Sequence, residues 1–293
     1  KLENDYCLEI AELDKLVQAS TRPCKLLIIN SPNNPSGQML SDAFLQELAV
    51  YCRRNNVLVL SDEIYFQVCF GGREHVSISK YYPEGTFVLG GLSKHLSIGG
   101  WRLGVALLPD TEFGRALMER ITMIASEVWS GVSAPIQYAA VLAYSLDPVI
   151  EKYISECSAI HGIRSRYCQA TLSNLGVSCS RVEGAFYITA NFDGFARELA
   201  SIGVRTSADL AAHLLNEYRI ASLPGSDFGI PEELLTLRLS TSYLDMQNSE
   251  DAQRIFDLYT PGVDPTEFMS VENHPVTHAA LTAFSKLLKS LSN

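Results

Sequence analysis

Three short apolar runs, Leu26–Ile29, Val57–Leu60 and Thr86–Leu89, each open directly into small or polar residues, and that recurrence restricts the fold of these 293 residues most. Near-continuous apolar runs of this length suit strands of a parallel sheet covered on both faces. Between the first two, Ser41 and Asp42 can start a helix that sets Phe44, Leu45, Leu48, Ala49 and Cys52 on one side. The pattern is strand, helix, strand. Ligands of open parallel sheets gather beyond the carboxyl ends of the strands, so Asn34, Asp62, Tyr65 and Lys94 are predicted to converge there.

The segment after the third run carries the most reactive chemistry. In Gly90-Gly91-Leu92-Ser93-Lys94 through Gly100-Trp101-Arg102, an amine and a guanidinium lie eight residues apart among small residues. Such a pair can hold a carbonyl cofactor by both ends, the lysine as a Schiff base and the arginine forked onto a phosphate. A Ser-Lys dipeptide is also a common surface feature. Asp62 can serve a ligand or cap the following turn through the Ile64 or Tyr65 amides. Asn33-Asn34-Pro35 can be a turn for local reasons, and Tyr65 a core aromatic. Arg238, in the strand-like run Leu235–Leu239 after the turn-rich stretch Pro224–Gly229, can receive a carboxylate or face outward.

Taken in order, Asn33-Asn34-Pro35-Ser36-Gly37, Ser61-Asp62-Glu63-Ile64-Tyr65, Ser93-Lys94 with Gly100-Trp101-Arg102-Leu103-Gly104, and Leu237-Arg238-Leu239-Ser240 resemble the motifs of class I/II aminotransferases. These belong to the pyridoxal-phosphate fold type I group, the aspartate aminotransferase superfamily, and the resemblance covers about residues 1 to 260. It implies an α/β fold, a mainly parallel sheet with helices on both faces in a large domain, plus a smaller α+β C-terminal domain. It further implies that Lys94 forms the internal aldimine with pyridoxal 5'-phosphate, that Asp62 pairs with the pyridine nitrogen, and that Asn34 and Tyr65 hydrogen-bond the ring oxygen. Arg102 would hold the phosphate and Arg238 the substrate carboxylate. Lys94, Asp62 and Tyr65 are thus the expected catalytic residues.

The implied activity moves an amino group between an amino acid and a 2-oxo acid, in a cytoplasmic homodimer. The same apparatus also serves elimination, cyclisation or decarboxylation, as in relatives resembling aminocyclopropane-carboxylate synthase, and the motifs do not separate these outcomes. A third reading is a cofactor-sensing regulator, although no basic DNA-binding segment is visible. One position departs from the family pattern: Gly91 stands where a hydroxyl residue, three places before the lysine, usually helps hold the phosphate. The family's phosphate-cupping turn and ring-stacking aromatic also lie farther upstream of the aspartate than the residues preceding Asp62. The chain opens on Lys1 rather than Met, so the expectation is a longer natural protein.

Helical patterns follow Pro109, with Phe113, Leu117, Ile121, Ile124 and Val128 on one face and a long helix or broken pair from Ile136 to Cys157. Val177–Phe192 reads as antiparallel strands, Leu210, Leu214 and Leu215 as a helix face, and Thr260–Pro275 as a linker before a closing helix with Leu281, Phe284, Leu288 and Leu291. The expected domains are 1–145 (large, lacking its N-terminal part), 146–260 (small) and 261–293 (linker and helix). A net charge of −10, from 23 basic and 33 acidic residues without a basic stripe, argues against nucleic acid. No apolar run reaches the roughly 18 residues of a membrane span, and no signal-peptide pattern opens the sequence, so the expectation is a cytosolic placement. Seven scattered cysteines without a Cys-x-x-Cys pair suggest reduced thiols. His274 and His278 have helical spacing but no third ligand for a metal. Ser77-Ile78-Ser79-Lys80 matches a Ser-x-x-Lys hydrolase pattern without its companion motifs.

Overall fold

Each of the three apolar runs forms a strand. In the computed structural model, which describes residues 8–291, β1 (Leu26–Asn30), β2 (Leu58–Asp62) and β3 (Thr86–Gly91) are parallel neighbours, and β4 (Gly104–Leu107) adds an antiparallel edge against β3. The chain divides into two compact units. One holds the residues through Pro32 and Met39–Ser155, the other Asn33–Gln38 and the chain from Glu156 onward.

In the first unit, α1 (Ile10–Ala19) and α2 (Asp42–Arg54) pack on one face of the sheet. Ser41 starts α2 as read from the sequence, its Oγ accepting from the Phe44 amide at 3.2 Å. Leu45, Leu48, Ala49 and Cys52 are buried against Ile29, Val59 and Leu13. Each fully buried aliphatic contributes about 1.5–3 kcal/mol, so this face supplies much of the unit's stability. On the other side Leu26 and Ile28 are 46% and 66% exposed, whereas Phe87, in register with Ile28 through Leu60, is buried with the Phe113 ring 6.4 Å away. Among the described residues that second face is open at β1 and covered at β3, and β4 is exposed along its length. The stripe on α3 (Glu112–Val128) behaves alike, with Phe113, Ile121, Ile124 and Val128 exposed. An apolar pattern identifies a face that favours cover without saying what supplies it.

The stretch from Ile136 is a broken pair, α4 (Ala134–Ala143) and α5 (Pro148–Asn174). The break falls where Leu146 takes a left-handed φ of 58° and Asp147 accepts from the Val149 amide at 2.9 Å.

The second unit is built on an antiparallel sheet in the order β5 (Ser178–Cys179), β6 (Tyr187–Asn191), β8 (Thr236–Ser240), β7 (Leu223–Pro224). Around it lie α6 (Ala196–Ser201), α7 (Ser207–Tyr218), α8 (Ser249–Leu258), α9 (Pro265–Phe268) and α10 (Pro275–Leu291). Leu210 and Leu214 of α7 are buried, whereas Leu215 is exposed. The stretch after Tyr259 is more than a spacer, because Phe268 and Met269 pack into a cluster with Ile160 and Ile255. α10 is secured at its start by Asp245, whose buried carboxylate accepts from the Val276 amide (2.6 Å), the Thr277 amide (3.1 Å) and Thr277 Oγ1 (2.6 Å). Farther along, Phe284 stacks on Phe192 with centroids 6.0 Å apart.

Candidate active site

The carboxyl ends of β2 and β3 bring Asp62, Tyr65 and Lys94 together in the first unit. Asp62 closes β2, its carbonyl held by Asn30 Nδ2 at 2.9 Å and the Ser31 amide at 3.2 Å. Its Oδ1 accepts from the Ile64 amide at 3.1 Å, so the capping role weighed from the sequence is real and occupies one carboxylate oxygen. Tyr65 follows within the turn, 3% exposed. Lys94 stands in the turn after β3, half-buried, with Nζ 5.6 Å from the centre of the Tyr65 ring. An ammonium so placed is attracted by the ring face. Lys94 and Asp62 form no ion pair among the described residues.

Arg102 lies apart from that cluster's hydrogen bonding. It ends a short 3₁₀ turn, Gly99–Trp101, in a left-handed conformation (φ 56°), exposed, its Nη1 donating to the Gly99 carbonyl at 2.7 Å. A non-glycine residue there holds backbone strain of about 1–3 kcal/mol. Gly91 pairs with Gly104 at the end of β3, and a Cβ on it would meet the Leu103 carbonyl oxygen at 2.9 Å and Ile64 Cδ1 at 3.2 Å. The unusual glycine is thus enforced by the close approach of β4, which leaves no space for the family's hydroxyl side chain.

The second unit brings Asn34 and Arg238 together. The Asn33–Gln38 turn is anchored to the smaller sheet: Ser180 Oγ donates to the Ser36 carbonyl (2.6 Å), Thr189 Oγ1 to that of Pro35 (3.1 Å), and the Glu183 and Gly184 amides to that of Gly37 (both 2.9 Å). Gly37 has a φ of +73°, and a Cβ there would strike the Tyr187 carbonyl at 2.4 Å. Arg238 on β8 donates from Nη1 to Asn34 Oδ1 at 3.3 Å. Its guanidinium lies over Tyr187 and Phe228, 4.7 and 5.2 Å from the ring centres. Arg238 Nε is buried without a hydrogen-bond partner. The arginine therefore does not face outward.

Sequence reasoning passed over the residue beside Asp62. Glu63 is 6% exposed, and its Oε1 accepts from Ser61 Oγ (2.8 Å) and Ser77 Oγ (2.6 Å), while His75 Nε2 lies 3.0 Å from Oε2. Burial raises its pKa, but the adjacent His75 ring and the hydrogen bonds from Ser77 and Ser61 outweigh it and hold the carboxyl below the usual glutamate value. A polar residue beside a predicted ligand at a strand end was the available signal. Ser77 of the Ser-x-x-Lys match is used here, and it also caps the 3₁₀ turn Ile78–Lys80. His278 Nε2 lies 2.6 Å from the Met269 carbonyl, and the described residues hold no cluster of metal-ligating side chains.

The donor set fits a carbonyl cofactor with a basic ring and an anionic arm. On the first unit alone it offers an amine, a carboxylate, a phenol and an arginine. The orphaned Arg238 Nε further suits a carboxylate-bearing substrate. Comparison with known proteins agrees. Residues 2–255 match the family model for aminotransferase class I and II. The chain is similar to aspartate aminotransferases of Geobacillus stearothermophilus (36% identical) and Bacillus subtilis strain 168 (33%), each alignment spanning 75% of this chain and 54% of the relative. Among solved structures, an aromatic aminotransferase from Pyrococcus horikoshii OT3 superposes with a TM-score of 0.77 at 26% identity, covering 99% of this chain and 66% of that one. The chain belongs to the class I and II aminotransferase family, whose members use pyridoxal phosphate. It spans about half the length of the curated relatives it matches.

Proposed function

We propose that the protein transfers an amino group between an amino acid and a 2-oxo acid with bound pyridoxal 5'-phosphate. The single observation that carries this reading is the Lys94 amine beside the buried Tyr65 ring, at adjoining strand ends with Asp62. When bound, the cofactor supplies a protonated ring that draws electrons from a bond breaking at the substrate's Cα. Asp62 keeps the proton on the ring nitrogen. Tyr65 and Asn34 donate to the ring oxygen, and Asn34 has its acceptor end turned to Arg238. Arg102 would hold the phosphate by a charge-assisted bond in place of the one its Nη1 now makes to the Gly99 carbonyl. Arg238 grips the substrate carboxylate with its planar fork. Lys94 Nζ would be the amine that holds the cofactor and, when free, the base that takes the Cα proton and returns it.

The working form in this reading is a cytoplasmic homodimer. No helix among the described residues is long and apolar enough to cross a membrane. Aspartate and aromatic amino acids, named for its relatives, are the first substrates to try. Borohydride treatment of the cofactor-loaded protein and peptide mapping should place the label on Lys94. Incubation with an amino acid and 2-oxoglutarate should give the matching oxo acid and glutamate. A protein left unlabelled when saturated with cofactor, or one yielding no glutamate, would overturn the reading.

A further inference from the structure

We infer that Glu63, clamped by His75, Ser77 and Ser61, is a positioning residue that fixes Asp62 and Tyr65 for the cofactor. The inference rests on the cofactor reading above. Burying a carboxylate is unfavourable unless it is paired and hydrogen-bonded, and a packed apolar side chain of similar volume would generally serve stability as well or better. A buried carboxylate held by two hydroxyl hydrogen bonds and an ion-pair contact beside Asp62 therefore calls for a role in orientation.

The geometry supplies that role. The Glu63 amide donates to the Leu89 carbonyl at 2.8 Å, carrying the β2–β3 ladder one residue past Asp62. Its side chain is simultaneously tied to Ser61 within β2 and to His75 and Ser77 from the later loop. Successive residues of an extended segment project to opposite sides, so a strand end held through Glu63 cannot roll Asp62 out of place. The Phe66 amide donates to the Glu63 carbonyl at 2.9 Å, closing the turn that contains Tyr65. The Phe66 ring then meets His75 at 6.4 Å and His95, the neighbour of Lys94, at 5.3 Å. One clamp thus touches the supports of all three residues.

The test is Glu63→Gln, with Ser77→Ala as a milder variant that carries the test alone if the first fails to fold. The first readout needs no cofactor. The Ile64 amide, protected by Asp62 Oδ1, should exchange its hydrogen about tenfold faster in Glu63→Gln, while amides inside β2 stay within about twofold of the parent. Loss of structure alone would accelerate both alike. In the loaded protein, the midpoint of the visible-absorbance pH titration should move by about half a pH unit or more. The kcat should fall about tenfold with KM within about twofold. Ser77→Ala should shift each readout the same way by less. Parental exchange at Ile64 together with a parental titration would overturn the inference. If the parent itself takes no borohydride-fixed label at Lys94, the cofactor reading fails instead, and the exchange result separates the two cases.

Discussion

His95 directly follows Lys94, and its burial makes the protein acid-sensitive in a way that can be isolated. The residue is 4% exposed, and burial lowers its pKa from 6.5 to about 4. An unfolded chain protonates this ring near the ordinary value, so between about 6.5 and about 4 the unfolded state binds more protons than the folded one. The stabilisation is full above that window and is lost progressively as pH falls through it. From pH 7 to pH 5 the loss comes to about 2 kcal/mol, because the unfolded ring becomes almost wholly charged while the folded ring stays neutral. Urea unfolding followed by Trp101 and Trp129 fluorescence, at both pH values, would measure it in the parent and in His95→Phe. Phenylalanine retains a ring against Phe66 without a titrating nitrogen. Comparing the two pH differences cancels the packing change and the contributions of His161, His274 and Glu63, which both proteins share. The parent should lose about 2 kcal/mol more than the variant. Equal losses in the two proteins would refute the reasoning.

Asp245→Ala strips three hydrogen bonds from the start of α10 and should lower unfolding stability by about 3 kcal/mol in urea. Gly91→Ser should destabilise the protein and bind pyridoxal phosphate no tighter by fluorescence titration, since the added Cβ meets the Leu103 carbonyl; tighter binding would remove the steric account. Asp62→Ala should reduce kcat/KM about a thousandfold, as expected when a buried ring cation loses its partner. Arg238→Lys loses the planar fork and should raise KM for the amino acid about tenfold or more, with cofactor absorbance unaltered.

The strands and α2 were legible because short apolar runs and a serine cap are local signals, and each element obeys its own periodicity. The motif residues were legible as a local pattern, which fixes their order along the chain and not their roles. What the sequence could not convey was company. Leu26 and Ile28 read as buried, yet among the described residues both are exposed. Asn34 follows β1 in sequence, but its turn is fastened by Ser180 and Thr189 to the smaller sheet, which long-range hydrogen bonds alone reveal. β4 is four residues long, immediately past a motif that drew attention to side-chain chemistry. Glu63 stayed hidden since Ser61, His75 and Ser77 have no regular spacing, and their meeting depends on how the loop after Phe70 returns. Gly91 departs visibly from the family pattern, but its cause, the backbone of the adjoining Leu103–Gly104 segment, is not visible in the sequence.

The grip of Asp245 on Val276 and Thr277 gives the chain's tail a say in the strand that bears Arg238. Because the seventeen-residue closing helix is buttoned to a point just downstream of β8, unpicking it would slacken the guanidinium's strand from behind. Trimming the carboxyl end would therefore loosen β8 within the second unit, which faster hydrogen exchange of the β8 amides would report.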